Sequence, residues 1–218
     1  MRSLRSPHLL VTLAGYSLGA AAVYWGLPHQ IPPSWTVPGG GTLWLGAPLV
    51  AFLLPTAVAV TDVLLRGLIV RNAVHEPCAL NVLAIYDAIM LRLVVFVFGV
   101  HATVLGGLLG LFWGRQWAAQ VVPLMLGITM IGIGNLLPRI RPNIAIGIRT
   151  RRTRSDHALW LRVHRAAGYI VVAGGAVIVL AAIAVPRPVG PGMILLVGPA
   201  ALAGTWLCVR FSGTHADA

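Results

Sequence analysis

The sequence contains no lysine and little charge of any kind. Only 10% of its 218 residues are charged, with 16 basic residues, all arginine, against 5 acids. Its two cysteines, Cys78 and Cys208, both map near the predicted cytoplasmic side, where thiols stay reduced, so we expect no disulfide and no metal pair. We find no nucleotide-binding loop, metal-ligand spacing or catalytic constellation, and we therefore expect no cofactor and no enzymatic activity.

The sequence contains long apolar runs. Hydrophobic residues make up 58% of the chain, and its mean hydropathy is +0.86. A helix needs roughly 20 apolar residues to cross the hydrocarbon core of a membrane. We predict an all-α, polytopic protein with a single membrane domain over residues 1–218 and an uncleaved first span. The six predicted transmembrane helices cover residues 8–26, 43–65, 88–111, 117–137, 166–185 and 191–209.

The arginines predict the orientation. If both termini are cytoplasmic, only Arg115 and Arg187 fall in outer loops and Arg92 falls within a span, while all the others are cytoplasmic. This asymmetry follows the positive-inside rule and predicts an N-in/C-in topology. Orientation and attraction to anionic headgroups explain the basic charge, so we expect membrane lipids as partners and no direct nucleic-acid binding.

Four polar residues within or beside the predicted spans are candidates for a functional role: Asp62, Asp87, Arg92 and His101. Our hypothesis is that Arg92 either extends to the headgroups or pairs with Asp62 on the neighbouring helix. For His101 we expect a hydrogen-bonded interior side chain rather than a cofactor ligand. The outer halves of these spans contain almost no ionisable groups, which disfavours proton-coupled transport.

Glycines within the spans predict close helix packing. Gly15 and Gly19 also form a G-x-S-x-G pattern, but a nucleophile elbow needs a strand-to-helix turn, and this pattern lies inside a predicted helix. We interpret both as packing positions. The same interpretation applies to Gly106, Gly107, Gly132, Gly134, Gly174 and Gly175.

The first outer loop, residues 27–41, is rich in proline and glycine and cannot be helical. It is either a rigid connector or a ligand-facing lid. Its candidate residues are Pro28, Ile31, Pro32 and Trp35.

Residues 134–168 form the most informative segment. Prolines end the fourth span, and Ser155 or Asp156 can cap a new helix. Trp160, Val163 and Ala167 then share one helical face, which predicts an interfacial lead-in to span five.

This segment resembles the SdpI family of bacterial membrane immunity proteins. The matching residues are Gly134, Asn135, Pro138, Asn143, Gly147, Ile148, Arg149, Thr150, Thr153, Trp160, His164, Arg165 and Gly168. The SdpI-like region covers residues 117–211, with a cytoplasmic loop at 138–165. Residues 8–70 are similar to the DUF1648 helical hairpin through the outer-loop sequence L-P-H-Q-I-P with Trp35.

The sequence departs from the family pattern at two places. Arg151, Arg152 and Arg154 replace the family's Pro-Trp and Leu, and Ser34 replaces its loop histidine. The first makes the loop more basic, and the second puts an outer-loop role for that histidine in question.

The resemblance implies a multi-pass protein of the bacterial inner membrane that protects its cell from a secreted peptide toxin. In some members the cytoplasmic face holds a transcriptional repressor at the membrane. Arg149 would offer a bidentate fork, with Asn143, Thr150 and Thr153 fixing the loop around it. Whether Arg149 binds a partner or only ties the loop to helix ends stays open at this point.

Two other classes of function remain as alternatives. One is a small transporter or exporter that uses the proline-containing spans. The other is a phospholipid-binding membrane protein in which Arg141, Arg149 and Arg152 hold headgroup phosphates.

Overall fold

The computed structural model describes residues 7–24, 46–73, 79–109, 111, 115–143, 146–184 and 204. These residues are almost entirely helical. The helices are α1 (Pro7–Tyr24), α2 (Gly46–Ala73), α3 (Ala79–Leu108), α4 (Arg115–Gly134), α5 (Arg151–Ser155) and α6 (His157–Ala184), with a 3-10 turn at Leu137–Arg139 between α4 and α5. The prediction of an all-α fold is confirmed for the described residues.

Four of these helices are long and apolar enough to cross a membrane. The candidate spans are Ala51–Arg71, Asn81–Gly107, Gln120–Arg139 and His157–Ala184, of which the third continues from α4 through the 3-10 turn. Helix α1 is a shorter apolar helix. The four candidate spans correspond to predicted spans two to five and indicate a multi-pass membrane protein. The sixth predicted span, 191–209, lies outside the described residues except for position 204, so six spans and the N-in/C-in topology stay predictions.

The helices extend past the predicted span boundaries. The third helix begins at Ala79, nine residues before the predicted start of its span, and therefore includes Asn81, Tyr86 and Asp87. The predicted lead-in at Trp160 is continuous with span five, because α6 runs unbroken from His157 to Ala184.

The helices pack as two groups that α3 joins. Helices α1, α2 and α3 contact one another, α4 packs along α6, and α3 also contacts α4. Three apolar clusters form the core. They contain Ile69, Val82, Tyr86, Met90, Val94 and Phe98; Ala22, Ala51 and Leu105; and Ile85, Leu136, Ile140 and Trp160.

Facing glycines bring α4 and α6 together. A Cβ atom on Gly134 would lie 2.9 Å from the Gly168 carbonyl oxygen, and one on Gly127 would lie 2.7 Å from that of Gly175. From the first pair to the second, the chain position falls by seven residues in α4 and rises by seven residues in α6. The two helices are therefore antiparallel. The backbones approach too closely there for any larger residue.

The remaining predicted packing glycines behave differently from one another. Gly15 faces the Phe98 ring, and Gly19 faces the Ala51 carbonyl, as expected for packing positions. Gly132 accommodates the side chain of Arg92 rather than a helix backbone. For Gly107 the packing prediction is wrong among the described residues, because none of their atoms lies within 4 Å of a Cβ placed there.

Candidate functional site: the arginine-rich loop and a buried charge cluster

The segment between α4 and α6 folds back on the first turns of α6. The indole N–H of Trp160 donates to the carbonyl oxygen of Ile140 at 2.8 Å, and both residues are buried. This hydrogen bond satisfies a polar atom on each side of an otherwise apolar contact. It fixes the start of the loop to α6.

Asn143 shapes the next turn. Its amide nitrogen donates to the Arg141 carbonyl at 2.7 Å, and its side-chain oxygen accepts from the backbone N–H of Ile146 at 2.7 Å. A short amide side chain that bridges backbone groups on both sides is a common way to hold a turn. Ile146 is thereby directed into the core, where it packs against the apolar clusters of both Tyr86 and Trp160.

Gly147 packs directly against the ring of His164. Gly147 has a φ of 109°, a conformation that residues with a side chain rarely adopt. A Cβ on Gly147 would lie only 2.5 Å from His164 Nε2. The backbone N–H of Ile148 donates to that same Nε2 at 3.0 Å. Glycine is therefore required here both by the backbone conformation and by the space available.

His164 is held as a neutral ring. Nε2 accepts from a backbone N–H, so it carries no proton, and Nδ1–H then donates to the Trp160 carbonyl at 2.9 Å. The ring also stacks on Trp160 with their centroids 4.2 Å apart. A buried imidazole that is hydrogen-bonded at both nitrogens is a structural element of the loop and has no free position for a metal.

Thr150 and Thr153 form a reciprocal cap at the start of α5. The Thr153 backbone N–H donates to the Thr150 hydroxyl at 3.1 Å, and the Thr150 backbone N–H donates to the Thr153 hydroxyl at 2.9 Å. The buried Thr153 hydroxyl also lies 2.9 Å from the Ile148 carbonyl oxygen, to which it can donate. Such a cap satisfies helix-end N–H groups that would otherwise lack a partner.

Asp156 caps the start of α6, as one of the two predicted caps. Its carboxylate accepts from the backbone N–H of Leu159 at 3.0 Å. Trp160, Val163 and Ala167 are all fully buried, so the predicted helical face is confirmed.

The structure divides the predicted loop residues into two sets. Asn143, Gly147, Thr150, Thr153, Trp160 and His164 are brought together in the contacts above. Asn135, Arg149 and Arg165 are exposed. Arg149 lies between two anchored amides, because Ile148 N–H is bound to His164 and Thr150 N–H to Thr153.

The exposed surface of this loop and the start of α6 is strongly basic. It carries one acid, Asp156, and eight exposed arginines: Arg139, Arg141, Arg149, Arg151, Arg152, Arg154, Arg162 and Arg165. We call these eight side chains the arginine face. Guanidinium groups at this density can bind phosphates, carboxylates or an acidic protein surface.

A second polar assembly lies between α1, α2 and α3. Asp62 is buried and contacts His8, with 3.1 Å between Oδ2 and Nε2, while Tyr86 donates its hydroxyl proton to Oδ1 at 2.8 Å. Beside them, Arg66 donates to Asp87 at 3.0 and 3.5 Å. We call these five residues the charge cluster.

The predicted pair of Arg92 with Asp62 is therefore wrong. Arg92 donates to the Ala88 carbonyl of its own helix and lies over Gly132 of α4, whereas Asp62 faces α1. His101 meets its expectation, since it is buried with Nε2 3.1 Å from the Ala51 carbonyl oxygen.

Sequence reasoning missed His8, Arg66 and Tyr86. A usable signal was present, because Asp62 and Arg66 are four residues apart and so share a helix face. Within the described part of the chain, no group of three or more His, Cys, Asp or Glu is placed to hold a metal ion. The outer-loop candidates Pro28, Ile31, Pro32 and Trp35 lie outside the described residues.

A comparison with protein families supports the resemblance of the loop segment to the SdpI family. Residues 139–209, about a third of the chain, match the model of the SdpI/YfhL protein family. The match begins at the 3-10 turn and includes every loop contact from Asn143 to His164. No curated protein and no solved structure matches the chain. The match does not extend to residues 8–70, so the DUF1648-like hairpin stays a prediction.

Proposed function

We propose that this chain is an SdpI-type immunity or receptor protein of the bacterial inner membrane. In this proposal it protects its cell from a secreted, membrane-active peptide toxin and uses the arginine face to recruit a cytoplasmic repressor. The family match at 139–209 and the four long apolar helices support a membrane protein of the SdpI type. The immunity and signalling roles go beyond that support and require their own test.

One observation carries the proposal: Arg149 presents an exposed side chain from an immobilised backbone. The amides on either side are hydrogen-bonded to His164 and Thr153, and buried Trp160 holds the loop to α6. A side chain on a backbone that is held by hydrogen bonds loses less conformational entropy when it binds than one on a flexible loop. The neighbouring residues therefore preorganise Arg149 for recognition of a carboxylate or phosphate.

A toxin-challenge assay tests this function. Cells that express the full chain would be challenged with a secreted, membrane-active peptide toxin, and their survival would be compared with that of cells lacking the chain. We expect survival to require the wild-type protein. Loss of one charge-assisted, bidentate interaction costs about 1.5–3 kcal/mol, or roughly 10- to 150-fold in affinity, so Arg149→Ala should remove protection at normal membrane levels.

Two further variants make the assay specific. Arg149→Lys keeps the charge but loses the fork, so it should restore protection only in part. Arg162→Ala removes another exposed arginine from α6 and is the matched control, for which we expect wild-type survival. Equal survival with and without the wild-type chain would refute the immunity role, and equal effects of Arg149→Ala and Arg162→Ala would refute the special role of Arg149.

Binding of anionic phospholipid is a second candidate function, and the density of the arginine face favours it. Eight guanidinium groups beside a membrane surface would attract phosphate headgroups, at roughly 1 kcal/mol for each nearby basic residue. This function predicts that a phosphate-bearing lipid co-purifies with the wild-type protein and that less of it co-purifies with Arg149→Ala. The toxin assay would then show no protection by either protein.

A further inference from the structure

Pro55 deprives a backbone carbonyl in α2 of its helical partner. It lies inside the helix and is fully buried. In an unbroken α-helix the carbonyl oxygen of Ala51 would accept from the backbone N–H of residue 55, but proline has no N–H, and its ring crowds that same carbonyl. Ala51 is 0% exposed, so solvent does not supply the missing hydrogen bond. A carbonyl left unpaired in such apolar surroundings is costly, and another donor is required.

His101 of α3 provides that donor. Its Nε2 lies 3.1 Å from the Ala51 carbonyl oxygen, and the residue is 1% exposed. Because a carbonyl oxygen only accepts, Nε2 carries the proton and donates it to this hydrogen bond. The ring of Phe98 packs edge-to-face with the imidazole, with 6.4 Å between their centroids, and helps to orient it. A hydrogen bond from α3 to α2 thus replaces the one that the proline removes from within α2.

Helix α1 packs against the same carbonyl. A Cβ on Gly19 would lie 2.5 Å from the Ala51 oxygen and 3.3 Å from the Phe52 ring. The backbone of α1 comes this close only because residue 19 has no side chain. Three helices therefore meet at one oxygen atom: a proline frees it, a histidine binds it, and a glycine leaves room for it.

This junction divides α2 into two segments. The leading segment is 46–54, and the following segment is 56–73, which contributes Asp62 and Arg66 to the charge cluster. A helix bends most readily at a proline, because one of the hydrogen bonds that join its two sides is absent. The hydrogen bond from His101 ties the leading segment to α3 at this point of weakness.

We propose that Pro55 and His101 form a latched hinge in α2. While His101 holds the Ala51 carbonyl, the leading segment is fixed on α3. When this hydrogen bond opens, the leading segment can move, and the following segment stays packed through the charge cluster against α1 and α3. This inference is independent of the proposed immunity function, because it concerns helices outside the matched segment 139–209.

A double-mutant cycle tests the latch. His101→Leu replaces the imidazole with an apolar side chain of similar size, so in the wild-type background it leaves the Ala51 carbonyl buried without a donor. Pro55→Ala restores the backbone N–H, and the carbonyl can then bond within α2 without His101. We expect His101→Leu to lower the melting temperature of the full chain in detergent, and to lower it much less in the Pro55→Ala background. Equal losses in both backgrounds would overturn the proposal.

Pro123→Ala is the matched control for the removal of a proline. Pro123 is also a buried proline inside a helix, but it lies in α4, whereas His101 binds α2. The loss caused by His101→Leu should therefore be as large in the Pro123→Ala background as in the wild type. A loss that Pro123→Ala reduces as much as Pro55→Ala does would show a general effect of removing prolines, and it would also overturn the latch.

Hydrogen exchange of the full chain tests the hinge itself. In His101→Leu we expect amides of the leading segment to exchange about 5- to 150-fold faster than in the wild type, the change that corresponds to one unpaired buried carbonyl. Amides of the following segment should not change. Equal acceleration along both segments would mean that the whole helix loosens, and it would overturn the hinge.

Pro55→Ala alone decides the question if His101→Leu does not fold. With the backbone N–H restored, the leading segment no longer depends on the latch, so its amides should exchange more slowly than in the wild type. Equal or faster exchange in Pro55→Ala would contradict the proposal.

Discussion

Gly147→Ala tests whether the loop is a rigid support for the arginine face. Alanine at a φ of 109° costs about 1–2 kcal/mol of backbone strain. Its Cβ would also lie 2.5 Å from His164 Nε2, so the loop or the ring has to move. Movement of either breaks the hydrogen bond from Ile148 N–H, which contributes about 1 kcal/mol. Together these terms weaken the loop by about 2–3 kcal/mol.

Hydrogen exchange measures this local change directly. The amides of Ile148, Thr150 and Thr153 all donate within the loop, and a loss of 2–3 kcal/mol corresponds to exchange that is about 30- to 150-fold faster. Amides in the second half of α6 should not change, because apolar packing holds that helix. Gly67→Ala is the matched control, since a Cβ there has no atom of the described helices and loop within 4 Å. If exchange in Gly147→Ala stays within about threefold of wild type, the reasoning about this loop is wrong.

Two further predictions concern the membrane helices. In Gly168→Ala the new Cβ would lie 2.8 Å from the Gly134 carbonyl oxygen. We expect the overpacking, which costs about 1–3 kcal/mol, to exceed the gain of about 1 kcal/mol in helix propensity. The melting temperature in detergent should therefore fall below that of Gly67→Ala. An equal or higher value would contradict the backbone contact between α4 and α6. For the topology, a cytoplasmic reporter fused near Thr153 should be active and a periplasmic reporter inactive, and the reverse result would refute the N-in orientation.

Hydropathy predicted the helices better than their ends. Hydropathy predicts spans two to five because the lipid-facing and the buried surfaces of a membrane helix are both apolar. Such a helix can therefore be predicted from its composition alone. The start of α3 was placed too late because Asn81, Tyr86 and Asp87 lower the local hydropathy. In the folded chain Tyr86 and Asp87 have partners on α2, so the helix continues through them.

Long-range partners could not be obtained from sequence periodicity. Spacing places Asp62 on one face of α2, but it does not say which helix that face meets. Pairing with Arg92 was therefore one of the two alternatives for Asp62, although α1 supplies the partner through His8. The loop residues were identified through family resemblance. Their division into buried contacts and exposed side chains required the conformation of Gly147 and the direction in which His164 faces.

Ile146 connects the two polar assemblies. Its amide is held by Asn143, one residue before the glycine turn, and its side chain packs against the cluster that contains Tyr86 as well as the one that contains Trp160. Tyr86 in turn donates to Asp62. The loop is thus packed into the helix bundle as part of its core. A distortion at Gly147 therefore changes contacts around α3, whereas substitutions of the exposed arginines leave this core contact intact.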